Sequence, residues 1–217
     1  MGLALFDLDN TLLGGDSDYL WGRFLVEEGI VEEEGYEAAN KQFYRDYVQG
    51  VLDIDAYLKF QLGVLTQHRL ETLEQWRDLF MERMIRPIVL PLGRERIQRH
   101  KNAGDTVVII TATNQFVTTP IATLLGVPHL LATELEMRDG TFTGCSSGIP
   151  CFQQGKVLRL RQWLSDHPHS LHDAWFYSDS RNDLPLLEAV AHPVAVDPDP
   201  VLHQHALSKG WEIVSFR

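Results

Sequence analysis

One run, Leu3-Ala4-Leu5-Phe6-Asp7-Leu8-Asp9-Asn10-Thr11-Leu12-Leu13, constrains this chain more than any other part of it. An apolar stretch that stops at polar turn residues reads as a buried strand. Asp7 then falls at the strand's carboxyl end, the edge of an open α/β sheet where ligands bind. Asp9 follows after a single residue. An unpaired buried charge is costly, so two acids at that place call for a bound cation or a reacting group.

After Asp9 the pattern turns helical for about seventy residues, with apolar and aromatic side chains recurring every three to four positions. Tyr19, Leu20, Phe24 and Leu25 begin this series, and Trp76, Leu79, Phe80, Met84 and Ile85 end it. Pro87 and Pro91 close the stretch. Beyond Pro91 helices and strands alternate. Helices are expected over 94–101, 116–125, 156–164, 184–189 and 201–209. Strands are expected over 106–111, 129–133, 174–177, 193–196 and 211–216, and Asp139-Gly140 marks a hairpin turn. Thr106-Val107-Val108-Ile109-Ile110-Thr111 is almost wholly apolar, as a strand covered on both faces should be. Such alternation implies parallel βαβ units. The expected fold is α/β: a doubly wound, Rossmann-like parallel-sheet core formed by residues 1–13 and 88–217, with an all-helical cap, 14–87, inserted after the first strand.

Composition removes several classes of function. The chain has 217 residues, a net charge of −11 and only two cysteines. That charge argues against nucleic acid or an anionic membrane surface as a partner. Cys145 and Cys151 have no metal-ligand spacing and no activating neighbours, which points to a reducing, cytoplasmic setting. Neither a signal peptide nor an apolar stretch of membrane-spanning length is expected. Nothing in the sequence bears on oligomeric state. His167, His169 and His172 fall in an expected solvated loop, Trp21 in the core and Arg23 on the surface.

Three strand ends on one sheet edge then carry polar groups: Asp7 and Asp9 after the first, Thr111 after the second, and Asp179 with Asp183 after the fourth. Lys156, following Gly155, opens a helix between them. Carboxylates, a hydroxyl and an ammonium together suit Mg²⁺ and a phosphate, because Mg²⁺ takes oxygen ligands and phosphate takes cationic and hydrogen-bonding partners.

These residues resemble the four ordered motifs of the haloacid dehalogenase superfamily of phosphohydrolases, in the branch with a helical first cap. The fourth run, Asp179-Ser180-Arg181-Asn182-Asp183 with Leu184-Pro185-Leu186-Leu187, looks like a phosphoserine-phosphatase-like subgroup, some members of which are assigned to histidinol phosphate. The resemblance implies that Asp7 is the nucleophile and forms an aspartyl phosphate, and that Asp9 is the general acid. It implies Mg²⁺ held by Asp7, Asp179 and the main-chain carbonyl of Asp9. Thr111, with Ala112 and Asn10, would bind the phosphate, Lys156 would offset its charge, and Asp183 and Asn182 would support them. Two motifs depart from the usual pattern: Thr111-Ala112-Thr113 replaces Ser-Gly-Gly, and Ser178-Asp179-Ser180 replaces Gly-Asp-Gly. The cap has no clear counterpart of the arginine that grips phosphoserine's carboxylate.

Between Gly14 and Pro87 there are 15 acidic and 8 basic residues. Asp16 matches a substrate-binding glutamate of phosphoserine phosphatase by its spacing from Asp7, and Asp18 lies close by. An acid there suits an amine-bearing small phosphate ester such as histidinol phosphate, phosphoserine or phosphoethanolamine; alternatively Asp16 only caps a helix. The same intermediate would also serve a phosphotransferase or mutase, and a non-catalytic phosphate or Mg²⁺ sensor would use the same groups.

Overall fold

The computed structural model describes residues 2–217. A seven-stranded sheet in the order β4-β3-β2-β1-β5-β6-β7 runs through the molecule. Strand β1 (Leu3–Phe6) lies at its centre, between β2 (Thr106–Asn114) and β5 (Ala174–Ser178). Strands β3 (His129–Arg138), β6 (His192–Val196) and β7 (Glu212–Val214) extend it in parallel, and β4 (Thr141–Ser147) turns back antiparallel onto β3. Asp139 and Gly140 both take positive φ in that turn, the backbone that a two-residue hairpin demands.

The unbroken apolar character of β1 follows from its position. Ala4 and Phe6 face one hydrophobic cluster and Leu3 and Leu5 the other, so both faces are buried. Helices α7 (Gln154–Ser165), α8 (Leu184–Leu187) and α9 (Pro200–Lys209) cover the Leu3/Leu5 side. The Phe6 side packs against α5 (Pro91–Asn102) and α6 (Gln115–Leu124), together with helices inserted between β1 and α5.

That insertion consists of α1 (Ser17–Glu27), α2 (Glu33–Gln49), α3 (Ile54–Leu65) and α4 (Leu70–Phe80), followed by a π-helical turn at Met81–Ile85. Two chain segments connect it to the sheet, side by side. Leu13 bridges Val89, Gly14 N–H donates to the Ile88 carbonyl at 2.7 Å, and Leu90 N–H donates to the Leu12 carbonyl at 3.0 Å. An aromatic cluster secures the same side. Trp21, Phe24 and Phe80 pack with Phe116 of α6, and Trp21 lies edge-on to Phe80 and Phe116 at 5.2 and 5.8 Å. Trp21 is core and Arg23 is exposed, as expected.

Four element bounds need correction. Strand β3 continues past Thr133 to Arg138, and α8 ends at Leu187 rather than 189. Strand β2 does not end at Thr111 but continues to Asn114, and its register with β3 shifts between Ile110 and Asn114. Thr111, Ala112 and Thr113 therefore lie in a bulge, which re-aims side chains at a sheet edge. The last strand is Glu212–Val214, shorter than 211–216, because Phe216 leaves the ladder to bury itself in the core. The helical expectations for 94–101, 116–125, 156–164 and 201–209 agree to within a few residues with α5, α6, α7 and α9. Among the described residues, no helix is long and apolar enough to cross a membrane.

Candidate active site

The carboxyl ends of β1, β2 and β5 meet beneath the helical insertion. Asp7 N–H still donates to the Tyr177 carbonyl at 2.9 Å, so the nucleophile candidate is fixed by the last rung of the ladder. The chain then turns, with Leu12 and Leu13 N–H both bonded to the Leu8 carbonyl and Asn10 at φ 58°. Asparagine tolerates that left-handed backbone better than most residues.

Lys156 is the pivot of the charge arrangement. Its Nζ donates to Asp7 Oδ1 at 2.7 Å and to Asp183 Oδ2 at 2.8 Å, and the side chain is only 2 % exposed. Ser178 Oγ donates to the same Asp183 oxygen at 2.7 Å. Burial pulls the Lys156 ammonium down, but Asp183 and Asp7 outweigh it and hold the group above its ordinary value. The residues just before it explain how it gets there. At Gly155 an added Cβ would stand 2.0 Å from the Pro150 carbonyl oxygen, so only glycine passes, and Gln153 takes φ 47°.

Thr11 joins the two ends of the motif set. Its hydroxyl lies 3.4 Å from Asp7 Oδ2 and 3.2 Å from Asp179 Oδ1, and it accepts from Asp179 N–H at 3.1 Å. Asp7 and Asp179 thus converge on one hydroxyl. Asp199 supports the loop beyond: its N–H donates to the Asp179 carbonyl at 2.8 Å and its carboxylate accepts from Arg181 N–H.

Asp9 faces the other way, toward the insertion. Ser17 N–H donates to its Oδ1 at 2.7 Å and Thr113 Oγ to its Oδ2 at 2.8 Å, with Thr111 Oγ at 3.5 Å. Burial raises the Asp9 carboxyl above its ordinary value, against the hydrogen bonds from Ser17 and Thr113. Asp7 is pushed up to about 7, first by burial and then, against the pull of Lys156, by Asp183 and Asp9. Asp179 is held well above the usual carboxylate range by burial and by Asp7 and Asp183.

Four carboxyl groups, those of Asp7, Asp9, Asp179 and Asp183, thus gather near a single ammonium, which touches only two of them. A hard divalent cation with oxygen ligands fits that donor set. Asp7 and Asp179, which meet at the Thr11 hydroxyl, would supply side-chain oxygens to such an ion.

Above the carboxylates a pocket separates sheet edge from insertion. Asp7, Asp9, Thr111, Ala112 and Thr113 form its floor, and Asp16, Asp18 and aromatic side chains of the helices form its walls. Asp16 is the N-cap of α1, accepting from Tyr19 N–H at 2.8 Å, and it lines the pocket as well. Asn10 does not reach the pocket: its N–H is bonded to the Gly15 carbonyl at 3.0 Å, and it serves the turn. Asn182 lies beside the site, where its amide donates to the Tyr47 carbonyl at 2.9 Å and accepts from Gln153 at 3.2 Å. It thereby ties α2 to the loops that carry Lys156 and Asp183. Away from the site, His167 stacks on Trp163 at 3.8 Å. Among the described residues, those of the site included, no group of three or more histidine, cysteine and acidic side chains has the spacing of a metal cluster.

Residues 4–188 match the sequence model of the haloacid dehalogenase-like hydrolases. The chain belongs to that family. A histidinol-phosphatase of Neisseria meningitidis serogroup C (strain 8013) is 44% identical over 219 residues, covering 99% of both chains. A phosphoserine phosphatase of Mycobacterium tuberculosis is 32% identical over 217 residues, which span 99% of this chain and 70% of the relative. The crystal structure of a protein of unknown function from Bordetella pertussis Tohama I superposes with a TM-score of 0.93 at 42% identity, covering 99% of this chain and 98% of the other. That Bordetella protein thus shares the whole of this architecture, including the helical insertion.

Thr11, Thr113, Gln153 and Ser178 are site residues that the sequence alone did not single out. Thr11 lay within the first motif run, but its use depends on Asp179, which is 168 positions away.

Proposed function

We propose that this hydrolase is a Mg²⁺-dependent phosphomonoesterase whose substrate is histidinol phosphate, and that the helical insertion, 14–87, acts as a cap over the reaction. The observation that carries the substrate is the chemistry of the pocket wall. Among the described residues its lining holds Asp16, Asp18 and five aromatic side chains, and no basic side chain. The carboxylate of phosphoserine would lie there against like charge with no counter-ion. Histidinol phosphate carries an amine and an imidazole and no carboxylate, so acids and aromatic rings suit it. The 44% identity to a histidinol-phosphatase over the full length supports the same reading.

An oxygen of Asp7 attacks phosphorus, the bond from phosphorus to the alcohol oxygen breaks, and the carboxyl proton of Asp9 passes to that oxygen. Burial favours the protonated Asp9 that this step requires. Asp9, now ionised, then takes a proton from the water that attacks the phosphoryl group, which frees Asp7 and inorganic phosphate. Lys156 holds Asp7 Oδ1 and stabilises charge that builds on the phosphoryl oxygens, with Thr111 as a hydroxyl donor beside it. A Mg²⁺ held by Asp7, Asp179 and the Asp9 main-chain carbonyl would supply further positive charge to the same oxygens.

The test is phosphate release measured over histidinol phosphate, phosphoserine and phosphoethanolamine with and without Mg²⁺. The expected kcat/KM on histidinol phosphate exceeds that on phosphoserine by on the order of a hundredfold, since a desolvated like-charge contact costs several kcal/mol. A preference for phosphoserine would overturn the substrate reading.

A further inference from the structure

Asp18 is the most unusual carboxylate in the molecule. It is only 6% exposed, lies on the first turn of α1 and lines the pocket, yet among the described residues no cation touches it. Its neighbours are neutral donors from separate elements. Tyr57 Oη of α3 donates to Oδ2 at 2.6 Å, and Asn114 Nδ2, at the end of β2, lies 3.5 Å from Oδ1. Further groups fix those donors. Gln61 donates to Tyr57 Oη at 3.1 Å and accepts from Tyr36 at 3.3 Å. The nearby acids, Asp9 and Asp16, only add like charge.

Contrast this with Asp7 and Asp183, whose charges Lys156 offsets. Neutral hydrogen bonds orient a carboxylate and ease its ionisation, but they leave its charge uncompensated. Asp16 differs as well, because its carboxylate also caps α1 and is partly exposed. Asp18 has no such role at a helix end. Around it stand flat aromatic faces: Phe43 meets Tyr57 edge-on with centroids 5.3 Å apart, and Tyr19 and Tyr44 lie 5.0 Å apart. A carboxylate held by neutral donors and flanked by rings matches a planar, delocalised cation better than a compact ammonium.

We propose that Asp18, oriented by Tyr57 and Asn114, binds the cationic ring of the leaving group and is the residue that selects an imidazole-bearing ester over a simple aminoalkyl one. This rests on histidinol phosphate being the substrate and names the group that recognises its ring. The amine is left to Asp16, next to the reacting centre. Tyr57 is a positioning residue in this account, acting through Asp18.

The test compares histidinol phosphate with phosphoethanolamine, which keeps the amine and lacks the ring. In Asp18→Asn the ratio of kcat/KM for the two esters should fall by about fiftyfold, from the loss of one desolvated ionic contact, mostly through KM. Binding of histidinol itself, followed by calorimetry, should weaken by about the same factor. Tyr57→Phe, which keeps the ring and removes the hydroxyl, should lower the ratio by about fivefold, and it carries the test if Asp18→Asn does not fold. An unchanged ratio in the folded variants, with both esters slowed alike, overturns the assignment of Asp18. A wild-type enzyme that shows no preference for histidinol phosphate overturns the substrate reading instead, and the two failures are read from different proteins.

Discussion

Apart from Asp9, which only neutral donors hold, the floor and the wall of the pocket handle negative charge in opposite ways. On the floor, Asp7 and Asp183 share the Lys156 ammonium at 2.7 and 2.8 Å, and Thr11 bridges Asp7 to Asp179. On the wall, Asp16 and Asp18 meet only main-chain N–H, hydroxyl and amide donors. The floor is preorganised around its own cation, as a site that must stabilise a phosphoryl group should be. The wall leaves its charge for a ligand to complete. On the function proposed above, chemistry and selectivity occupy different elements: strand ends hold the first, and helices of the insertion hold the second.

The largest effect should come from the floor. Asp7→Asn removes the proposed nucleophile and should lower turnover by a factor on the order of ten thousand or more on every ester tested. Comparable turnover in that variant would break the division at once. Lys156→Met comes next, keeping bulk but removing charge. It should cost about a thousandfold in kcat. It should also destabilise the fold by about 3–5 kcal/mol, because two buried carboxylates lose their partner. Urea denaturation measures the second effect. Adding Asp183→Asn should restore part of that stability and none of the activity, and a recovery of both would mean that Lys156 is only structural.

A smaller effect sharpens the boundary between floor and wall. Thr113→Val deletes the hydroxyl that donates to Asp9 at 2.8 Å. Loss of that bond disfavours the ionised carboxylate, so the alkaline limb of kcat/KM should move to higher pH, with rate lowered about tenfold. An unmoved limb would show that Asp9 is not the acid.

The smallest effect concerns stability and pH. Burial pushes Asp18 up to about 7, against the hydrogen bond from Tyr57, with Asp9 adding to the rise. An unfolded aspartate titrates near 4. The folded protein therefore binds this proton more tightly, and the stability it confers is complete below about pH 4 and is lost as pH rises through 7. Thermal denaturation of metal-free protein should show Tm falling over that window, and Asp18→Asn should flatten the slope. An equal slope in the variant would show that Asp18 is not the group responsible.

The parts legible in the sequence are those in which chemistry and periodicity coincide. Asp7, Asp9 and Asp179 interrupt or follow apolar runs, so their place at or just past strand ends could be read from local pattern alone. The register shift in β2 could not. The β-branched run over 106–111 gives way to Ala112-Thr113-Asn114, which looks like a strand's end, whereas Asn114 still pairs with Thr133 across a register shift. Thr113 and Asn114 acquired their roles from that bulge. Tyr57 was equally hidden, since its periodic spacing on α3 marks it as core and only the fold brings its hydroxyl to Asp18. Asn10 shows the reverse error, a motif position that the turn uses for itself.

The most direct measurement is acid quenching during steady-state turnover of histidinol phosphate with Mg²⁺, followed by borohydride reduction and peptide mass spectrometry. An acyl phosphate at Asp7 is reduced to homoserine, so the account predicts that residue at position 7 and at no other aspartate. A modified Asp9, Asp179 or Asp183 in its place, or full turnover with Asp7 never converted, would contradict it.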